Sequence, residues 1–359
     1  MSSVKKLGFF CAFILPILAV IGYYLGGWFN YSTVIFAYIL MPILDLIVGR
    51  DAVNTDENQV SALSEERYYR FVTYVWTYVQ VGIVIWGAYV FATGPMQWYE
   101  KTGFLMSIAN ITGGIGITVA HELGHKQTAI EQFYAKVLLM TVSYMHFFIE
   151  HNRGHHVWVA TPKDPATSRK GENFYAFYVR TVIGSFRSAW HIETNRLEKK
   201  NEKIWSINNE MIQYQLITIG FCVALTLACS LVAGQILWQV PVFFVLQSIL
   251  GFSLLEAVNY IEHYGIMRKE IAGGRYERVN PTHSWNANQL VTNFFLFQLQ
   301  RHSDHHANAT RRYQVLRHFE ESPQLPYGYG TMIMIALLPP LWFKLMDNRL
   351  EKWQMQRVE

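Results

Sequence analysis

Three imidazoles fall within six positions at His151-Asn-Arg-Gly-His155-His156, and this density of one metal-binding side chain is where chemistry is sought first. On a helix His151 and His155 share one face with His156 beside them, so the rings can converge on one or two metal ions. The stretch has company. His121-Glu-Leu-Gly-His125 lies upstream, Arg301-His302-Ser-Asp-His305-His306 downstream, and Asn259-Tyr-Ile-Glu-His263-Tyr-Gly265 between them. Nine of thirteen histidines therefore sit in four motifs, each ending or following a long apolar run. Nine imidazoles are too many for one ion, whereas two ions sharing them keep positions open for oxygen. Glu122, Glu150, Glu262 and Asp304 stand beside these residues, suited to accepting the far ring N–H and fixing its tautomer, or to binding directly. A single histidine pair could equally be a structural zinc site or a satisfied polar cluster, but four motifs together argue against both. His146, His191, His283 and His318 stand alone and are read as non-ligands.

The elements that must position these motifs cross a membrane. Of 359 residues, 51% are hydrophobic and only 16% charged, which is too apolar for an ordinary soluble enzyme. Six runs reach the length of a hydrocarbon layer without an internal basic residue, at 7–28, 32–49, 71–93, 103–120, 211–233 and 236–258. The first resembles a signal peptide after Lys5 and Lys6, but its apolar core is too long and a second span follows at once. Six spans predict an all-α integral membrane protein, one membrane-embedded catalytic domain over 1–359, with metal-binding parts at 121–210 and 259–359. Lys101 is then the sole basic residue in a far-side loop, so the positive-inside rule puts every histidine motif in the cytoplasm. The net charge of +4 gathers on that face. Cys11, Cys222 and Cys229 all lie in spans and no CxxC exists, which excludes zinc-ribbon and iron–sulfur sites.

Span four runs without a breaker into His121, which places the metal close to the membrane surface. Gly113-Gly114-Ile115-Gly116 lies inside that apolar helix with no strand before it, so it is a packing device and not a dinucleotide loop. Stepping back from His121 by four and seven residues reaches Ile117 and Gly114 on one face, where the bare glycine could leave room for a substrate tail. Asp45 lies near the end of span two, a candidate for function or for an interfacial role. Residues 135–149 read as a buried or re-entrant segment, 174–203 as an amphipathic surface helix, and 331–346 as a peripheral helix broken at Pro339-Pro340.

His121-Glu-Leu-Gly-His125 also fits the zinc-protease pattern, with Asp45 as a distant partner, but that reading leaves two triple-histidine motifs without a role. The four motifs, Leu299-Gln-Arg-His-Ser-Asp-His-His306 above all, resemble those of the bacterial membrane alkane 1-monooxygenases, within the histidine-rich di-iron class that includes fatty acyl desaturases and xylene monooxygenase. The third motif, at 259–265, separates the match from desaturases. The resemblance implies six spans and a non-haem di-iron site with His121, His125, His151, His155, His156, His263, His302, His305 and His306 as ligands. It further implies terminal hydroxylation of medium-chain n-alkanes with O2, in a bacterial inner membrane with the metals on the cytoplasmic side. The chain has no flavin, nicotinamide or iron–sulfur motif, so its electrons must come from a carrier. The resemblance suggests rubredoxin, fed by an NADH-dependent reductase, with Arg169, Lys170, Arg268, Lys269, Arg311, Arg312 and Arg317 as candidate docking residues. It also suggests a bulky residue in span two that limits chain length, for which Tyr38 is the candidate. No nucleic-acid partner is expected. The runner-up activity is an acyl desaturase or other lipid hydroxylase on the same metal core; a membrane metal transporter would need histidines within its spans.

Overall fold

The computed structural model describes residues 3–356, and side chains from residue 5. Six helices are long and apolar enough to cross a bilayer: Lys5–Leu25, Gly27–Val48, Arg67–Thr93, Trp98–Gly124, Glu210–Ala233 and Gln239–His263, here spans one to six. They match the predicted runs, and spans four and six each continue into their histidine motif as one helix. Among the described residues the only strands are a short antiparallel pair, Glu270–Ile271 with Arg275–Tyr276.

Span four is the centre of the bundle. Its most apolar window is 83% buried, against 17% for spans two and five, which face outward. Two glycines explain its close packing. A Cβ on Gly113 would lie 2.2 Å from the carbonyl oxygen of Gly251 in span six, and one on Gly116 would overlap the Gln80 amide of span three. At Gly113 no side chain fits, so the backbones of spans four and six approach as small-residue membrane interfaces allow, whereas Gly116 makes room for the Gln80 side chain. Buried polar groups here pair with one another: Gln80 takes the Trp76 indole N–H at 3.0 Å and donates to the Thr141 hydroxyl, while Gln247 accepts from Thr112 and donates to the Thr141 carbonyl. Where no water can enter, such pairing is what makes a buried amide tolerable.

Outside the spans, three expectations change. The segment 135–149 is two pieces, the end of helix Ala129–Met140 and the short helix Phe147–Glu150, joined by a turn in which Ser143 has φ +52°. The surface helix ends at Lys199, four residues early. The stretch 331–346 is not one peripheral helix. Tyr329–Ala336 and Pro339–Gln356 meet at 119°, since proline lacks the N–H to continue a helix. The first of them buries Tyr329, Met332, Ile333 and Ala336, an i, i+3, i+4, i+7 stripe, in the protein.

Candidate metal centre

Four helical segments deliver nine imidazoles to one place. Their ring nitrogens form two groups: His121, His125, His151, His156 and His305 in one, His155, His263, His302 and His306 in the other, with the donor atoms of each group within 4.8 Å of one another. His151 and His155 therefore part company. The segment His151–His155 is a π-helical turn, whose extra residue per turn aligns His151 with His156 instead. His302 and His306 lie on the α-helix His302–Ala307 and keep α spacing within one group, while His305 turns to the other. The expectation that His151 and His155 share one helix face, with His156 beside them, is thus corrected.

The arrangement suits metal. His151 Nε2 faces both His125 Nε2 at 3.0 Å and His156 Nε2 at 3.1 Å, and His156 Nε2 also faces His305 Nε2 at 3.1 Å. In the second group His302 Nε2 faces His306 Nε2 at 2.8 Å and His263 Nε2 at 3.3 Å, and His155 Nε2 is 3.3 Å from His306 Nε2. A ring nitrogen has one in-plane proton or lone pair, so it cannot satisfy two such neighbours by hydrogen bonding. A cation can: with bonds of about 2.0–2.1 Å, adjacent nitrogens around an ion come roughly 3.0–3.4 Å apart. His121 Nε2 is buried with no hydrogen-bond partner, a further acceptor left for an ion. Burial first, and neighbouring imidazoles next, push the pKa of His125, His151, His156, His302, His305 and His306 well below the usual histidine value. Neutral rings are the form that binds metal.

The carboxylates are placed differently from expectation. Glu122 pairs with Lys126 at 2.9 Å and accepts from the Tyr313 backbone N–H. Asp304 takes the guanidinium and backbone N–H of Arg317, with Arg311 and Asn308 beside it. Glu150 is buried against Gly154 with Oε1 unpartnered. Glu122 and Asp304 brace the motif helices, and none of the three is hydrogen-bonded to a ring N–H. Glu262 meets an imidazole, but on the metal side: Oε2 is 3.2 Å from His302 Nε2, while Oε1 accepts from Tyr329 at 2.6 Å. The carboxylate that meets an imidazole N–H of the two groups is Asp164, which sequence reasoning passed over as part of a loop. Its Oδ2 accepts from His155 Nδ1 at 2.9 Å and from the Thr167 hydroxyl at 2.6 Å. The one signal was an acid eight residues past the third histidine of a dense cluster. Asp45 accepts from the backbone and hydroxyl of Thr292, so it anchors span two to the segment leading to His302. His146, His191, His283 and His318 lie outside both groups.

An apolar cavity of about 90 Å³ runs into the spans from this centre. His121, His151 and His302 lie at one end of its lining, with Ile117 and Gly114 following along span four to Tyr38 and Asn110. Tyr38 donates to Asn110 Oδ1 at 3.1 Å. Nothing stands within 4 Å of a Cβ built on Gly114, whereas Gly113 is occluded. The two adjacent glycines thus have separate uses, one for packing and one for space.

Comparison with known proteins agrees with this geometry. Residues 97–336 match the fatty acid desaturase family model. Alkane 1-monooxygenase 2 of Pseudomonas aeruginosa is 40% identical over 98% of this chain and 94% of its own, and the alkane 1-monooxygenase of Pseudomonas putida is 41% identical over 97% and 86%. The chain belongs to the alkane 1-monooxygenases, within the fatty acid desaturase family. It is therefore an oxidoreductase, and a more distant relative is the xylene/toluene monooxygenase hydroxylase component XylM of Pseudomonas putida, 26% identical over 96% of this chain and 89% of its own.

Five of the seven basic residues considered for docking are engaged within the fold. Arg268 is buried on the carbonyls of Val157 and Glu277, Arg311 and Arg317 sit on Asp304, and Arg312 holds Glu131. Lys170 pairs with Glu351 at 2.9 Å on the surface, and Arg169 and Lys269 are exposed.

Proposed function

We propose that this chain hydroxylates the terminal methyl of medium-chain n-alkanes to 1-alkanols with O2, at two iron ions held by the nine histidines. The observation that carries the reading is the apolar cavity that ends on His121, His151 and His302. Bound iron would supply the oxygen-activating redox chemistry, which no side chain here can provide.

The protein's own contribution is placement. Ile115, Ile117, Leu254, Leu255 and Val258 line the cavity and exclude water from the reacting carbon. A methyl C–H bond is stronger than a methylene one, so terminal selectivity must come from a cavity that admits the chain end-on. Asp164 holds the His155 ring in the tautomer that leaves Nε2 free for metal. Tyr329 holds Glu262 against the second group.

Electrons would come from rubredoxin and its NADH-dependent reductase, docking on the basic metal-side face through Arg169, Lys170 and Lys269. The concentration of basic residues on that face supports an inner-membrane protein with its metals toward the cytoplasm. The test is iron quantitation with octane-to-octanol turnover under a supplied electron donor. Two irons per chain and 1-octanol are expected; an acyl substrate desaturated in place of octane hydroxylation would overturn the reading.

A further inference from the structure

A second cavity, of about 520 Å³, lies on the other side of the seam between span two and helix Tyr329–Ala336. Successive positions of both helices face opposite ways across it: Ala37, Met41, Gly330 and Ile333 line the reaction cavity, whereas Pro42, Leu46, Thr331 and Met334 line the second. The seam is tight, since a Cβ on Gly330 would come within 2.7 Å of the Ala37 carbonyl oxygen. Span two is π-helical over Phe36–Leu40 at this point, a widened turn of the kind found at functional sites. Among the described residues Tyr38 alone lines both cavities.

The two cavities differ in chemistry. The second lies at the metal-side end of span two, with Leu46 and Met334 exposed toward lipid and Arg50 and Gln289 at its rim. Gln289 is 6% exposed, and its Oε1 is buried with no hydrogen-bond partner. An unpaired buried acceptor calls for a donor. An alkane has none, but a primary alcohol has one O–H on an apolar tail. We propose that the second cavity binds the medium-chain primary alcohol as it leaves, its hydroxyl donating to Gln289 Oε1 and its chain against Pro42, Leu46 and Met334. Tyr38 is the door, latched by its hydrogen bond to Asn110. An amphiphile released here enters the bilayer with its hydroxyl at headgroup level, while the alkane needs no such polar landing.

The inference rests on the proposed alcohol product, but binding can be tested without turnover. A diazirine-bearing 1-decanol is photolysed on the purified full-length, iron-loaded protein. Labelling of Leu46, Thr331 or Met334 is expected, displaced by 1-decanol and at least tenfold less well by its methyl ether, which lacks the donor. Equal displacement by the ether, displacement by phosphatidylcholine vesicles at matched acyl concentration, or no labelling at these residues would overturn the site. In turnover, Met334→Trp should lower kcat several-fold and leave kcat/KM for the alkane unchanged, with a pre-steady-state burst of product. A parallel fall in kcat/KM would make the cavity an entrance and overturn the exit role, as would an unchanged kcat. Labelling as expected in a protein that forms no alkanol would leave this site standing and remove the proposed function.

Discussion

Replacing Gly114 by leucine should shorten the range of alkanes accepted, and the structure sets the size of the change. Span four is π-helical over Asn110–Gly116 and rises less per residue there than the about 1.5 Å of an α-helix, so Gly114 lies at most roughly 10 Å from His121 along the axis and Asn110, beside Tyr38, at most roughly 16 Å. At about 1.3 Å per carbon of an extended chain, that difference of at most about 6 Å corresponds to about four carbons. The leucine side chain enters open space, because nothing stands within 4 Å of a Cβ on Gly114, and the fold should tolerate it. Burying a methylene contributes about 0.8 kcal/mol, so four excluded methylenes cost about 3 kcal/mol, or roughly a hundredfold in kcat/KM for the longest substrates. Short alkanes should keep their rates. The assay is a product profile over a mixture of n-alkanes, with iron measured on the same preparation. Tyr38→Ser should move the upper edge the other way. An unchanged profile in both variants, with iron retained, would refute the assignment and place the channel against other spans. Gly113→Leu is the contrasting control: it meets the Gly251 backbone and should fail to assemble.

Other outcomes follow from the same contacts. His263→Ala should reduce iron toward one per chain, because its group has four imidazoles, whereas His146→Ala should leave both ions in place. Asp164→Asn should weaken metal binding about 10- to 100-fold, read by chelator competition, since ligand-orienting partners have that effect on affinity. Activity at limiting rubredoxin should fall as salt rises if the exposed Arg169, Lys170 and Lys269 form the dock, and a rate indifferent to ionic strength would count against it. Burial opposes the charge of Glu131, but the Arg312 guanidinium and the Thr128 hydroxyl outweigh it and hold the carboxyl below its usual value. A depressed pKa stabilises the fold above the unfolded value and loses that stability as pH falls through the folded one. Glu131→Gln should therefore lower Tm at neutral pH, by a margin that shrinks on acidification below about pH 4.

Much of this protein was legible in its sequence because two strong local signals coincide. Apolar length marks a span without reference to any partner, since a bilayer requires about 20 residues whatever the helix packs against. Histidine at i, i+4 marks a metal-facing stripe in the same local way, as at His121 and His125. The two signals overlap at 121 and 263, where a span runs directly into a motif, and so place the metals at the membrane surface. What the sequence could not determine depends on backbone geometry and on contacts distant along the chain. The π-turn at 151–155 sends His155 to one group and His156 to the other, an outcome that residue spacing alone cannot distinguish from an α-turn. Charge adjacency misled for Glu122 and Asp304, whose nearest basic groups come from Lys126 one turn away and from the returning segment 311–317. Asp164 orients His155 only because its loop folds back beneath that ring. Gly113 and Gly114 are identical in sequence terms. Only the arrival of span six at one of them and of nothing at the other decides which packs a helix and which leaves open space in the cavity.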